Sequence, residues 1–242
     1  MTTPRPRIRF ATPADRDALR ALEHEYFPAK SGVHHAGYLY DNEELAATAL
    51  TERLAAPMRV FTFVAELEGD ILGFAAGVPS RMTSGAMDAQ TMNLQYLAVR
   101  PKHRGQGLGT ALVKKIITRS QKARQNLIHA HIPVDQVSFY EGLGWAVEPE
   151  GHGLAWLPDG DHLRADAGDP AFGFPLMASK VLRPRGVQHT FRYPVVTGRP
   201  ILDASMEAAR LVDVGDLDPS EFDEFTRDFV KTGRVEARGR TS

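Results

Sequence analysis

Arg104, Gly105, Gly107 and Gly109 crowd into one short stretch, Arg104-Gly-Gln-Gly-Leu-Gly109-Thr110, and this is the part of the chain whose residue types and spacing best suit chemistry. The glycines clear side chains from consecutive backbone N–H groups, so those groups can converge on an anion. A helix starting at the same point adds the positive end of its dipole. Arg104 places a fixed positive charge beside them. Phosphate oxygens are the ligand such a cradle suits, and spacing narrows which phosphate. A nucleotide-triphosphate loop needs lysine directly after its last glycine, but Gly109 is followed by Thr110, and Lys114 sits too far along. A dinucleotide fingerprint needs glycine or alanine three residues after Gly107, and that position is Thr110. What remains is arginine, two residues, glycine, one residue, glycine, with Pro101 ahead of the arginine and an apolar segment ahead of the proline.

Such a turn works only if both flanks are rigid. Leu94 to Val99 reads as a strand. From Thr110 to Arg124, Leu112, Val113, Ile116, Ile117 and Ser120 share one helical face and Lys114, Lys115, Thr118, Arg119 and Lys122 the other, a surface helix packed on a sheet. Upstream, Ile8 to Ala11 reads as a strand. Thr12-Pro13-Ala14-Asp15 then opens a helix through its capping hydroxyl, its proline at the first helical position and its acid three residues on. Ala18, Leu19, Leu22 and Tyr26 follow at helical spacing, and Pro28 closes the helix. Asp41 is expected to cap a second helix running to Ala55, with Leu45, Ala49 and Leu54 on its buried side. Val60 to Leu67 and Ile71 to Val78 form a hairpin about Glu68-Gly69-Asp70. Leu127 to Ile132 is a strand, Val134 to Leu143 a short helix with Gly144 at its left-handed end, and Phe174 to Leu182 a closing strand.

This order predicts a mixed α/β (α+β) fold, a sheet flanked by helices. Residues 149–170, rich in Pro, Gly and Asp, read as an insertion between the last two strands. They carry Glu150, Asp159, Asp161, Asp166 and Asp169 against Arg164, which reads as a solvated loop or as a cover favouring a cationic amine. One domain is expected over residues 1–182, and a C-terminal extension over 183–242. The extension contains a β-like stretch, Gln188 to Val196, and candidate helices Ala204 to Val212 and Pro219 to Lys231. Phe222, Phe225 and Phe229 form a packing stripe on the second. Packing or homodimer formation is the expected use of this extension.

The chain of 242 residues has a formal net charge of −1, which argues against an electrostatically driven nucleic-acid or membrane partner. It contains no cysteine, so disulfides, thiolate metal sites and cysteine nucleophiles are excluded. The basic start, Met1 to Arg9, is followed by no apolar segment, and the longest apolar run, Ile71 to Val78, is far too short to cross a bilayer. A cytoplasmic location is the expectation.

Arg104, Gly107 and Gly109 match the pyrophosphate motif of the GNAT superfamily of acyl-CoA-dependent N-acyltransferases, and the chain resembles that family beyond the turn. Leu97-Ala98-Val99 is similar to its preceding strand, Phe139-Tyr140-Glu141-Gly142-Leu143-Gly144-Trp145 to its second signature, and Met177 to Lys180 to its last strand. The resemblance implies a mostly antiparallel twisted sheet whose middle strands splay to admit acetyl-CoA, the cosubstrate, with no metal. Leu97, Ala98 and Val99 would pair with the pantetheine arm, and Gly105, Gln106, Gly107, Leu108, Gly109 and Thr110, with Arg104, would hold the pyrophosphate. Tyr140 would protonate the departing thiolate, and a small-molecule or peptide amine would attack the thioester directly in a ternary complex.

Two positions depart from the family pattern. Gln95 stands where many members carry a glutamate base, and an amide takes no proton from an ammonium. Deprotonating a lysine-like amine at neutral pH costs on the order of 4–5 kcal/mol, which a pre-equilibrium through water supplies. Glu66, His129 and His131 are candidate substitutes. The His129-x-His131 pair also admits a metal reading, for which the sequence offers no third ligand, and His34-His35 lies in the loop that lines the family's acceptor site. Pro133 stands where the family often has asparagine beside the coenzyme arm. The alternative reading is a non-catalytic acyl-CoA-binding or regulatory module.

Overall fold

Thr12, Pro13 and Asp15 act locally as their order dictates. The Asp15 carboxylate accepts from the backbone N–H and hydroxyl of Thr12, at 2.7 and 2.9 Å, closing a single 3-10 turn at Pro13–Asp15. The α-helix proper begins one residue later. In the computed structural model, residues 5–27, 38–51, 60–81, 87–150, 152–157, 164–168, 173–183, 187–192, 212–213 and 235–238 are described. They form two compact units, residues 1–81 with 87–128, and residues 82–86 with 129–242. The architecture is mixed α/β, as its order of elements predicts.

The first unit contains β1 (Arg7–Phe10), α1 (Arg16–Tyr26), α2 (Glu43–Ala49), β2 (Phe61–Leu67), β3 (Asp70–Arg81), β4 (Met87–Val99) and α3 (Leu108–Lys122). Strands β1 to β4 pair in sequence order, all antiparallel. The β2–β3 hairpin turns at Glu68 and Gly69, both with positive φ, as the Glu-Gly-Asp sequence predicts. Leu19 and Leu22 of α1, Leu39, Tyr40, and Ala46 and Ala49 of α2 bury one face of this sheet, against Val64, Phe74, Ala76, Val78, Tyr96 and Ala98. Each fully buried leucine contributes roughly 1.5–3 kcal/mol. On α3, Leu112, Val113, Ile116 and Ser120 are buried as the amphipathic pattern predicts.

Two helix readings need correction. On α1, Ala18 is exposed, while Glu23 shares the buried face with Leu19 and Leu22. On α2 the cap is Asn42, whose side chain accepts from the Leu45 N–H at 3.0 Å, in place of Asp41. The expected continuation to Ala55 and the Pro28 stop lie outside the described residues.

Strand β4 is longer than the predicted Leu94 to Val99, and it contains a β-bulge. Ala98 pairs with Phe74 and Tyr96 with Ala76, but Gly77 then meets Leu94 and Val78 meets Asn93, so Gln95 has no partner on β3. The extra residue inverts the alternation of side chains. Tyr96 and Ala98 face α1 and α2 after the bulge, whereas before it Asn93 takes that face and Leu94 the other. Gly77, opposite Leu94, has Met92 and Ile116 of α3 beside it.

The second unit takes up β5 (Leu127–Ile132), in whose course the division falls. It continues with α4 (Val137–Gly142), β6 (Ala146–Val147), β7 (His152–Leu157), β8 (Arg164–Ala167), β9 (Leu176–Val181), β10 (Val187–Arg192), β11 (Val212–Asp213) and β12 (Val235–Arg238). Strand β9 lies between β5 and β6, antiparallel to β6. Residues 149–170, read from composition as a loop-like insertion, contain β7 and β8. These pair antiparallel with each other, and β7 pairs with β10. Strand formation there depends on a partner far along the chain, which local composition does not register. Strand β10 overlaps the predicted Gln188 to Val196 stretch, starting one residue before it, and β12 joins it with β11 parallel at β12's side. The predicted helices at 204–212 and 219–231, apart from Val212, lie outside the described residues, as does the phenylalanine stripe.

Candidate functional site

The glycine turn is built from the end of β4. Val99 pairs with Gly73, and Arg100 is pinned to the preceding hairpin, its N–H on the Leu72 carbonyl at 2.8 Å and its Nε on the Ile71 carbonyl at 3.0 Å. A 3-10 turn at Pro101–His103 reverses the chain, and Arg104 Nε donates to the Val99 carbonyl at 3.0 Å, stapling the turn's two ends. The guanidinium thus has a structural duty besides its charge.

Gly105 and Gly107 have φ of +74° and +78°, the left-handed region that favours glycine, and a Cβ at either would meet nothing within 4 Å. The requirement for glycine is therefore conformational. Gly107 is the N-cap of α3, so the amides of Leu108, Gly109 and Thr110 have no intrahelical acceptor. Ala111 is the first to bond, to the Gly107 carbonyl at 3.0 Å. Among the described residues no backbone acceptor meets the amides of Gly105, Gln106 or Gly107 either. Six successive N–H groups thus lie without a backbone acceptor at the positive end of a 15-residue helix, an arrangement suited to an anion.

Leu97, Ala98 and Val99 lead into this turn, with the Ala98 side chain in the core and those of Leu97 and Val99 half-buried. All ten residues expected to touch the coenzyme, Leu97 to Val99 and Arg104 to Thr110, lie in two short runs of the first unit. Tyr140 belongs to the second unit, on α4. It is 3% exposed, edge-on to Phe139 and Trp145, and burial pushes its phenol up, favouring the protonated form. The end of α4 is fixed tightly: the Tyr140 carbonyl accepts from the N–H groups of Leu143 and Trp145 at 3.0 and 3.1 Å. Gly144 takes φ +70°, and Lys180 Nζ reaches the carbonyls of Leu143 and Gly144 at 3.0 and 2.8 Å.

A family model described as an acetyltransferase (GNAT) domain matches residues 59–147. Residues 59–147 are thus similar to a GNAT acetyltransferase domain. A curated relative, GCN5-related N-acetyltransferase 2, chloroplastic, from Arabidopsis thaliana, is 38% identical over 61 residues. That match takes in 25% of this chain, and the chain spans only about a quarter of the relative's length, 24%. Among solved structures, the GNAT family N-acetyltransferase YhbS from Escherichia coli, in complex with CoA, superimposes with a TM-score of 0.51 at 18% identity, over 75% of this chain and 84% of that one. The yncA protein of Salmonella typhimurium, with its cofactor acetyl-CoA, gives 0.52 at 20% identity, over 74% and 95%. At these identities the likeness is one of fold.

The candidate substitute bases fare unequally. Glu66 is held by Arg7 at 3.1 Å and by Arg9, whose hydrogen bond, with that of Arg7, keeps its carboxyl below its ordinary range, so it is a poor proton acceptor. His129 and His131 lie 6.2 Å apart between ring centroids, and among the described residues no metal-binding group of three His, Cys, Asp or Glu exists. His34 and His35 lie outside the described residues. Two polar residues escaped sequence reasoning. Asn93 is 4% exposed and its Nδ2 donates to Gln95 Oε1 at 2.8 Å. Glu23 is wholly buried, its two oxygens accepting from the N–H groups of Leu39 and Tyr40 at 2.7 and 3.0 Å. Asn93 had a signal, since it lies two residues before Gln95 on one strand. Glu23 had none, because a glutamate in a helix reads as a solvated face.

Proposed function

We propose that this protein is an acetyl-CoA-dependent N-acetyltransferase that transfers the acetyl group to a primary amine by direct attack in a ternary complex. The observation that carries this reading is the row of six unpaired amides from Gly105 to Thr110 at the start of α3, inside the stretch similar to a GNAT domain. They suit the pyrophosphate of the coenzyme, which the CoA-bound and acetyl-CoA-bound fold relatives also suggest. Leu97 to Val99 provide the strand against which the pantetheine arm would lie. The amine nitrogen attacks the thioester carbon, the oxygen takes the charge, the nitrogen gives up its extra proton to water, and the carbon–sulfur bond breaks as the carbonyl re-forms. Tyr140 is the assigned proton donor to the departing thiolate. A phenol kept protonated by burial has a proton to give, and phenol and thiol acidities differ by about two units in water. The reading assigns the transferase to residues 1–182 and treats residues 183–242 as an extension.

Thiol release from acetyl-CoA across a panel of primary amines tests the activity. Release that falls at least about tenfold in Tyr140→Phe, with the coenzyme still raising the melting temperature, supports both transfer and the acid. Coenzyme binding without release across the panel would instead favour an acyl-CoA-binding module.

A further inference from the structure

At the bulge two amide side chains meet, and the register places Asn93 on the α1 and α2 face of the sheet. Asn93 and Gln95 bond to each other at 2.8 Å, and among the described residues neither side chain has another hydrogen-bond partner. Whichever way round the two amides are assigned, one carbonyl oxygen and one NH2 are used internally, so the pair presents one free acceptor and one free donor. Asn93 is almost fully buried and Gln95 half-buried, which gives the pair a fixed base and a reachable tip. Among the described residues no charged side chain bonds to it. Among the described residues the ionisable groups buried on this face are Glu23, Tyr40 and Tyr96, and none of them bonds to the pair. Glu23 holds two amides, the Tyr40 hydroxyl meets Thr62 at 2.9 Å, and the Tyr96 phenol lies beside Glu23. Arg16, Arg20 and His24 of α1 and Asp41 are tied up at the rim, with each other or with the backbone of Tyr40 and Asp41.

We infer that the Asn93–Gln95 pair is the acceptor-recognition element of this transferase, and that it selects weakly basic primary amines bearing a neighbouring carbonyl, such as α-amino amides, over alkyl amines of the lysine type. The inference rests on the N-acetyltransferase reading above. An uncharged pair neither removes a proton from an ammonium nor holds one by ion pairing, so the acceptor must arrive already neutral. At pH 7 the neutral fraction is about one in seven for an α-amine of pKa about 7.8 and about one in 2,500 for a lysine-type amine of pKa about 10.4, a ratio of roughly 350. The free carbonyl of the pair accepts from the neutral amine N–H, and the free NH2 donates to the substrate carbonyl beside it.

Two isomers test this in the full-length protein: Nε-acetyl-lysinamide, with a free α-amine, and Nα-acetyl-lysinamide, with a free ε-amine, assayed by thiol release inside a wider panel of amines of graded basicity. The expected result is a preference for the α-amine of at least about 50-fold in kcat/KM at pH 7. That preference shrinks about 14-fold by pH 9, because the ε-amine gains neutral form about 100-fold and the α-amine about sevenfold. Gln95→Glu installs a carboxylate and narrows the preference at pH 7, and Glu23→Gln leaves it unchanged. Equal use of the two isomers at pH 7, or a preference that Gln95→Glu does not alter while the coenzyme still raises the melting temperature, overturns the inference and leaves the transferase standing. No release with any amine overturns the transferase reading, and this inference with it.

Discussion

Gly107→Ala separates the conformational need for glycine from the anion-binding need for the amides behind it. The residue caps α3 at φ +78°, and the added methyl meets nothing within 4 Å, so the substitution brings backbone strain without collision. That strain is about 1–2 kcal/mol, or about 2–4 °C of melting temperature per kcal/mol for a chain of this size. Gly69, at φ +94° in the β2–β3 hairpin and equally open, provides the matched control. In Gly69→Ala the strain has no bearing on the coenzyme. In Gly107→Ala, relief of the strain rotates the amides at the start of α3 away from their common focus. One lost hydrogen bond to a charged phosphate is worth about 1.5–3 kcal/mol, which is about ten- to a hundredfold in Kd. At an acetyl-CoA concentration of about 100 times the parent Kd, the coenzyme stabilises the parent by about 2.7 kcal/mol; tenfold weaker binding leaves about 1.4 and hundredfold weaker about 0.4. Thermal unfolding of the three proteins with and without acetyl-CoA reads all of this directly. Gly69→Ala should melt lower yet keep the full coenzyme shift, while Gly107→Ala loses half of it or more. If both variants lose similar stability and Gly107→Ala retains the full shift, the amides of this turn do not bind the coenzyme.

Two further outcomes concern the frame around the site. Glu23→Ala leaves the Leu39 and Tyr40 amides buried without acceptors and should cost about 2–5 kcal/mol in denaturant unfolding, Glu23→Gln distinctly less because one acceptor remains. Burial raises the Glu23 carboxyl above its usual range, so the ionised form weakens the fold. The stability of the parent relative to Glu23→Gln should therefore fall as the pH climbs through and beyond about 4–5, and a flat difference would contradict this. Asp15 behaves in the opposite sense. The bidentate Arg9 contact, at 2.6 and 2.8 Å, is the main cause that lowers its carboxyl to about 2. Its contribution, about 2 kcal/mol, is present above the unfolded-state value near 4 and disappears as the pH falls from about 5 towards 2. Denaturant titrations of the parent and Asp15→Asn should converge over that window.

What was legible in the sequence is what local rules determine. The Glu68-Gly69 turn, the amphipathic face of α3 and the left-handed Gly144 depend on neighbours a few residues away, and they stand where pattern and turn chemistry put them. The boundaries of α3 shift to Leu108–Lys122 because the cap is Gly107 itself, where a glycine-rich run offered several starting points. The glycine turn leading into α3 was legible for the same reason, being one contiguous motif. Less legible were features that need a partner from elsewhere. Strands β7 and β8 arise from pairing across a segment whose composition suggests a loop. Glu23 is buried because two backbone amides from a later segment require its oxygens. The bulge in β4 shows only in the register against β3, since nothing in Asn93-Leu94-Gln95-Tyr96 announces an extra residue.

That bulge also governs how this chain can be compared with others. A strand with strict alternation lets each position be assigned to a face by counting from either end, but in β4 a count from Val99 and a count from Met92 disagree by one beyond Gln95. Between this chain and one without the extra residue, an alignment carried across the strand without a gap matches residues of one face to residues of the other. The gap belongs at Gln95. Chains that lack the extra residue present a different set of side chains on each face of this strand even where every neighbouring letter is the same.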